Sequence, residues 1–485
     1  QGKLTLLYMG KSLEIIEMEK RKMYEIVNSI DKNLLKKNSV KDSKKQLVSI
    51  KIEKIANKII NIALCVIIFL IPLLITPREV DIIPYNLLKI CVLLVCGAIL
   101  LICLIIIRKK LKFDLIDKTL IVLFILTLLS TIFSINPSTA LIGDENRYEG
   151  FLSLTVYFLT YYCAKYFFSY NKKLKIFATI TVSITAIIGI LQYYNIFPLY
   201  YIFNIPFVSS FASSTFGNRN FFGNFMAIVV PTFMGLYIIK NRKTYLILCF
   251  LSFWGMLVSM TRSSWVGLAV ATIIGIIYVI KNFNMDILKR VLSISIGFIV
   301  IFIFVLTPPT FITENFSGNN SINNLNSRLE LIEKDVENLL NNNAGSAGSG
   351  RISIWILTLK SIAITPLLGT GPDTLKDALI INVHEEAIER MIKTHTIVDK
   401  AHNEYLQIAA TIGVPALIVY LAFIFQIIFS RKDVFTNNST FILFVGIISY
   451  LVQAFFNIST IGVAPVFWFL LGLLQNEKFK GNMIE

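Results

Sequence analysis

Apolar stretches about as long as a bilayer is thick recur along this chain, and no other feature restricts its fold as much. A run such as "VLLVCGAILLICLIII" (92–107) offers no charge to water. Backbone placed in lipid must satisfy its own hydrogen bonds, so such windows fold as helices. We place spans near 59–76, 87–107, 119–135, 151–169, 176–196, 220–239, 244–260, 265–280, 291–306, 403–428, 439–458 and 461–475. About twelve crossings of roughly 20 residues result. With 55% hydrophobic and only 16% charged residues, the chain is an all-α integral membrane protein rather than a soluble domain.

The formal net charge of +16 would suggest nucleic acid in a soluble chain, but here it sits between the spans. The loops "RKKLK" (108–112), "NKKLK" (171–175), "KNRK" (240–243), "KNFNMDILKR" (281–290) and "SRKD" (430–433) are basic, and the connections that alternate with them are nearly free of lysine. The charge bias puts the basic set in the cytoplasm. Both termini are then expected inside. Residues 1–57 form a lysine-rich cytoplasmic arm, 58–306 carry spans one to nine, 403–475 the last three, and 476–485 a cytoplasmic tail.

The long loop 307–402 is expected outside the cytoplasmic membrane. Its patches "NNSINNLNS" and "NNNAGSAGSG" read as flexible linkers. Between them, "SRLELIEKDVENLL" has helical spacing. After them Ile352, Trp355, Ile356, Leu359, Ile362 and Ala363 recur with a helical period that Pro366 ends. This predicts an amphipathic helix lying on the outer membrane surface or packed as a re-entrant element.

Five arginines depart from the charge bias: Arg78, Arg147, Arg219, Arg262 and Arg351, each near the outer end of a span or helix. One such residue is explained by snorkelling to the headgroups. Several guanidiniums on one side suit a phosphate or diphosphate, whose oxygens the planar fork binds in pairs. A lipid-borne ligand of that kind is a polyprenyl-diphosphate sugar carrier, although anionic phospholipid satisfies the same groups.

His402 sits where charge gives way to apolar helix in "DKAHNEYLQIAATIGVPAL" (399–417). The helix N-terminus disfavours an imidazolium there, and Asp399 opposes it. A neutral ring at the interface could serve as a general base, or only hydrogen-bond a carbonyl. His384 and His395 read as solvated or structural, and the spacing of the three histidines fits no metal ligand set. The six cysteines lie in apolar spans without a CxxC pair. No metal and no cofactor is expected.

In order, "GDENRYEG" (143–150), "STFGNRNFFGNFMAIVVP" (214–231), "TRSSWVGL" (261–268), "GRISIWILTLKSIAITPLLGTGPDTL" (350–375) and "AHNEYLQIAATIGVPAL" (401–417) resemble the O-antigen ligase and O-antigen polymerase superfamily of bacterial membrane glycosyltransferases. The resemblance implies a GT-C-like helical fold. It also implies metal-independent transfer of a glycan from undecaprenyl diphosphate to an acceptor hydroxyl on the outer face, in surface polysaccharide assembly. By motif, His402 and Arg351 match the family's catalytic loop residues, with Asn403 and Trp355 in support on the acceptor side. Arg262, Arg147 and Arg219 fall at its basic, donor-binding positions, although the family more often has Gly-Asn-Pro-Asn where this chain has "GNRN" (217–220).

Two other classes compete. A polytopic transporter or flippase of lipid-linked glycans would have a similar number of spans, but would usually carry midplane charges and internal repeats, which the spans do not show. A sensor or scaffold would bind a glycan or peptide on the outer loop without chemistry.

Overall fold

The computed structural model describes residues 18–26, 28–29, 48, 50–76, 85–107, 111, 113–145, 147–171, 173–203, 212–307 and 350–480. Arg78, both low-complexity patches up to Gly350 and the segment 327–340 lie outside the described residues. Two units are distinct, residues 1–58 and 59–485. In the first, 18–26 and 28–29 are helical.

Among the described residues the protein is all-helical, without strands. Seven helices among the described residues are long and apolar enough to cross a membrane: α1 (Ile50–Leu73), α2 (Leu87–Ile106), α3 (Leu115–Ile132), α6 (Lys173–Tyr193), α8 (Arg219–Lys240), α10 (Arg262–Lys281) and α11 (Met285–Leu306). Shorter apolar helices stand among them: α9 (Lys243–Val258), α16 (Val414–Phe429), α17 (Asn438–Ala454) and α18 (Ala464–Gln475). α5 (Phe151–Tyr166) and the short α4 (Pro137–Ile142) and α7 (Pro198–Phe203) complete the part before the long loop.

Burial orders the bundle. α8 has 83% of its apolar window inside the protein, against 6% for α11, so α8 is the central post and α11 a peripheral helix with its apolar surface uncovered. α8 packs on α9 and α17, α5 on α18, and α10 on α17. Glycine lets these helices close: a side chain at Gly472 would strike the Tyr161 carbonyl across the α5–α18 seam. Asparagine and aspartate caps set the starts. Asp114 and Asp117 form a reciprocal capping box on α3, and Asn284 and Asn437 cap α11 and α17.

After the long loop come α12 (Arg351–Ile364), α13 (Leu375–Asn382), α14 (His384–Thr394) and α15 (Glu404–Thr411). Leu357, Ile362, Leu375, Leu379, Ala401, Ala409 and Ala410 share a small core of their own. On α12 the expected stripe lies mostly outside the face buried in the protein. The buried face is Ile354, Leu357, Thr358, Ser361 and Ile362, while Ile356 and Leu359 point outward, because α12 is apolar on two sides and α13 and α15 take one of them. The expected span 403–428 is also two helices. Gly413 breaks it at φ +106°, a conformation L side chains rarely adopt, and Pro415 starts α16 afresh.

Candidate active site

Three sequence motifs meet at one end of the bundle. In the "GDENRYEG" loop (143–150), Gly143 takes φ +107° so that the chain folds back on Tyr148 and Glu149, where a Cβ would collide with backbone. Arg147 projects from this loop, and its Nε and Nη2 both donate to Asp399 Oδ2, at 2.8 and 2.6 Å. Its guanidinium also lies 5.3 Å from the centre of the Phe221 ring. Asp399, three residues before His402, is therefore engaged by an arginine.

Asp373 joins the motifs. Its Oδ2 accepts the N–H groups of Asp144 (2.8 Å) and Glu149 (3.1 Å), and its Oδ1 pairs with the Lys400 ammonium. Both partners of that ion pair are buried. Glu149 in turn accepts from Tyr157 (2.7 Å) and from Ser459 (2.8 Å). Burial pushes the Glu149 carboxyl above the ordinary range, against the pull of those hydroxyls and of Lys400. Burial likewise pulls the Lys400 ammonium down, while contact with carboxylates holds its charge. Beside them, Glu404 at the start of α15 accepts from Tyr420 (3.2 Å) and Tyr450 (3.0 Å). Glu149, Asp373, Lys400, Glu404 and Gln407 line a cavity of about 80 Å³.

His402 stands above this network in a left-handed conformation, φ +49°. Asn403 fixes the turn by capping α15, its Oδ1 accepting from Leu406 N at 3.0 Å, and Gln407 Oε1 accepts the Ala401 N–H at 2.9 Å. The His402 Nδ1 is shielded from solvent and has no hydrogen-bond partner. Burial pushes the imidazolium down to about 4, the charges of Arg351, Arg147 and Arg390 push the same way, and Asp399 opposes them. The ring is neutral at physiological pH, chiefly through burial; the sequence argument had relied on the helix terminus.

Arg351 is the first residue of α12, following Gly350 at φ +75°. Arg390 of α14 reaches the same helix start, its Nε donating to Ser353 Oγ at 3.2 Å. Trp355 packs edge-on to Phe455, 5.6 Å between ring centres, so its ring is part of the wall between α12 and the end of α17. Arg219 and Arg262 form a separate pair at the starts of α8 and α10, where Thr261 Oγ1 donates to the Arg219 carbonyl at 3.0 Å. An asparagine ladder leads from there to the centre: Asn457 Nδ2 donates to Asn224 Oδ1 at 2.6 Å, two residues before Ser459. A polar cavity of about 290 Å³ opens beside Arg147, floored by Phe216, Gly217, Asn218 and Phe221 and walled by Asp144, Glu145 and Asp399.

Thus the structure brings Arg351 and Arg147 within electrostatic reach of His402, with Asn403 capping the helix that follows and Trp355 in the wall, while Arg219 and Arg262 are not among the charges that act on His402. Sequence reasoning missed Glu149, Asp373, Lys400, Glu404 and Arg390. Of these, Glu149, Asp373, Lys400 and Glu404 lie inside the quoted stretches, and the signal was available there as charged residues in otherwise apolar or glycine-rich sequence.

The candidate site is thus a neutral histidine among arginines at one end of a bundle of apolar helices. Residues 247–421 match the protein-family model described as O-antigen ligase. This stretch contains Arg262, Arg351, Trp355, His402 and Asn403, and the match supports the resemblance to the O-antigen ligase and polymerase superfamily and a glycosyltransferase-like role in surface polysaccharide assembly. No curated protein matches the chain.

Proposed function

We propose that the protein transfers a glycan from an undecaprenyl-diphosphate donor to an acceptor hydroxyl, without metal or cofactor, on the outer face of the cytoplasmic membrane. The observation that carries this reading is the neutral His402, its Nδ1 shielded and unpartnered, among Arg351, Arg147 and Arg390. Its fold would be a GT-C-like bundle of about twelve spans, with both termini and the basic loops cytoplasmic.

The chemistry asks little of the protein besides charge and a base. The acceptor O–H gives its proton to His402 as oxygen attacks the anomeric carbon from the face opposite the diphosphate. The C–O bond to phosphate breaks, and the lipid diphosphate leaves with the electron pair. Configuration at carbon inverts. General base help of this kind contributes ~100- to 10,000-fold. Arg351 stabilises charge on the leaving diphosphate, and Arg147, Arg219 and Arg262 hold the donor headgroup, where exclusion of water strengthens each contact. Asn403 and Trp355 fix the acceptor side of the loop. Arg147 must exchange Asp399 for phosphate or bind it with the remaining guanidinium edge.

The test is transfer in lipid vesicles by purified protein with an undecaprenyl-diphosphate oligosaccharide and chelator, comparing wild type with His402→Ala and Arg351→Ala. Lengthening of the lipid-linked glycan by wild type alone marks a polymerase. Donor consumption only on addition of a separate acceptor marks a ligase. Full activity of both variants removes the assignment of these residues.

A further inference from the structure

At the end opposite His402, an apolar cleft of about 220 Å³ lies between α1, α6, α8, α18 and the segment that follows α5. Phe168, Val182, Phe225, Phe233 and Phe469 line its depth, while Tyr170, Lys175 and Tyr245 stand at the end where the basic loops emerge. The direction follows from the helices: α8 starts beside the candidate active site at Arg219 and contributes residues from Phe225 to Leu236, its middle and far end.

The mouth is cationic. The two loops meeting there, "NKKLK" (171–175) and "KNRK" (240–243), hold six lysines and arginines and no acid. Lys240 is repelled by both Lys175 and Arg242, so the three charges share one locality instead of spreading over the surface. Arg242 also acts on Tyr170. Such crowding of like charge is unfavourable without an anion. Moreover, the Tyr170 hydroxyl is shielded from solvent and has no hydrogen-bond partner, although the ring lines the cleft.

We propose that this cleft binds an anionic phospholipid, with one acyl chain between α6 and α8 and the phosphate against Lys175, Lys240, Arg242 and the Tyr170 hydroxyl. Charge decides the occupant. A neutral lipid would fill the apolar space equally well but leave the three cations facing each other, and a peptide would bring backbone polar groups that the apolar walls do not pair. Basic pockets between spanning helices at the cytoplasmic surface are suited to such headgroups. The site is separate from glycan transfer and does not depend on it.

The experiment equilibrates the purified full-length protein with mixed phosphatidylglycerol and phosphatidylcholine, and reads retained lipid by native mass spectrometry and thermal stability by tryptophan fluorescence. Wild type should retain phosphatidylglycerol at least ~10-fold over phosphatidylcholine and melt at higher temperature with it, as expected for a ligand bound to the folded state. Lys175→Gln/Lys240→Gln/Arg242→Gln should lose the preference but keep a lipid. Ala178→Trp, which fills the cleft without touching charge, should lose the retained lipid in a protein that still elutes as wild type. Equal retention of both lipids by wild type, or an unchanged preference in the triple variant, would overturn the proposal. So would displacement of the lipid by undecaprenyl phosphate at equimolar concentration, which would assign the cleft to an isoprenoid chain.

Discussion

Both ends of the bundle bury charge, but they do so in opposite ways. At the basic-loop end, Lys165 sits between Asp114 (2.6 Å) and Asp117 (2.9 Å), with the Tyr166 hydroxyl on the same Asp117. Arg431 holds both oxygens of Asp433, at 2.9 and 2.7 Å, and also donates to Thr440. Lys165 and Arg431 thus have carboxylate partners, on regular backbone. The other end holds the non-glycine residues with positive φ Tyr148, Asn195, Ser214, Met260, Asp373, His395 and His402, against Asn241 alone among the described residues of the basic-loop end. The buried Nδ1 of His402, one of them, is left unpartnered. Strain of order 1–3 kcal/mol per residue persists only where the surroundings over-determine it, and such residues cluster at functional sites. The first end is built for stability, the second for a task.

The largest effect that follows is on rate. His402→Ala should lower transfer ~100- to 10,000-fold. Its melting temperature should stay within a few degrees of wild type, because the variant removes a desolvated group that nothing pairs. A coupled loss of rate and fold would make His402 a structural residue and erase the contrast between the ends. Next comes Asp373→Ala, which strips two backbone N–H groups of their acceptor and strands the Lys400 ammonium in the interior. Leaving a buried charge uncompensated costs about 3–5 kcal/mol. Denaturant unfolding should show that loss, and Asp373→Ala/Lys400→Met should recover part of it.

These two predictions rest on residues that were unequally visible in the sequence. The helical membrane class could be read from the apolar windows, because lipid leaves a helix as the main way to bury backbone. His402, Arg351 and Arg147 stood out because charge at a membrane interface is costly. Asp373 did not. Its role comes from a contact 229 residues away in the chain, at the Asp144 N–H, and a single carboxylate in "GTGPDTL" gives no periodic sign of such a partner. The fracture of the expected span 403–428 was hidden similarly: Gly413 permits a break, but only its approach to the Leu367 carbonyl shows that the chain makes one.

A pH series sharpens the comparison further. The folded-state value of His402 lies near 4, below its ordinary 6.5. As pH falls through this window the unfolded chain takes up the proton first, so the stability tied to the neutral ring is complete above pH 6.5 and is lost on the way down to 4. The whole contribution is up to ~3 kcal/mol. Activity should hold as pH drops through 6.5 and fall only on approaching 4, when the base is protonated. A rate that halves at 6.5 would mean that the ring is solvated and ordinary. Asp117→Asn, at the other end, leaves Lys165 with Asp114 alone and should cost about 1–3 kcal/mol without changing the pH profile of transfer.

The smallest effect is the most discriminating, because it compares the same chemistry at the two ends. Asn403 caps α15 through Leu406 N at 3.0 Å, and Asn437 caps α17 through Ser439 N and Thr440 N at 3.0 and 3.1 Å. Replacing either with alanine removes a side-chain acceptor from a helix start and should cost about 1 kcal/mol in each case. If the ends differ only in stability, the two variants behave alike. If the His402 turn is held in its left-handed form for catalysis, Asn403→Ala should also slow transfer by ~10-fold or more, since a shift of about an ångström in a reacting group is enough for larger losses. Asn437→Ala should leave the rate at wild-type level. Thermal melts paired with initial rates separate the cases, and equal rates in the two variants would mean that the cap holds a helix and nothing more.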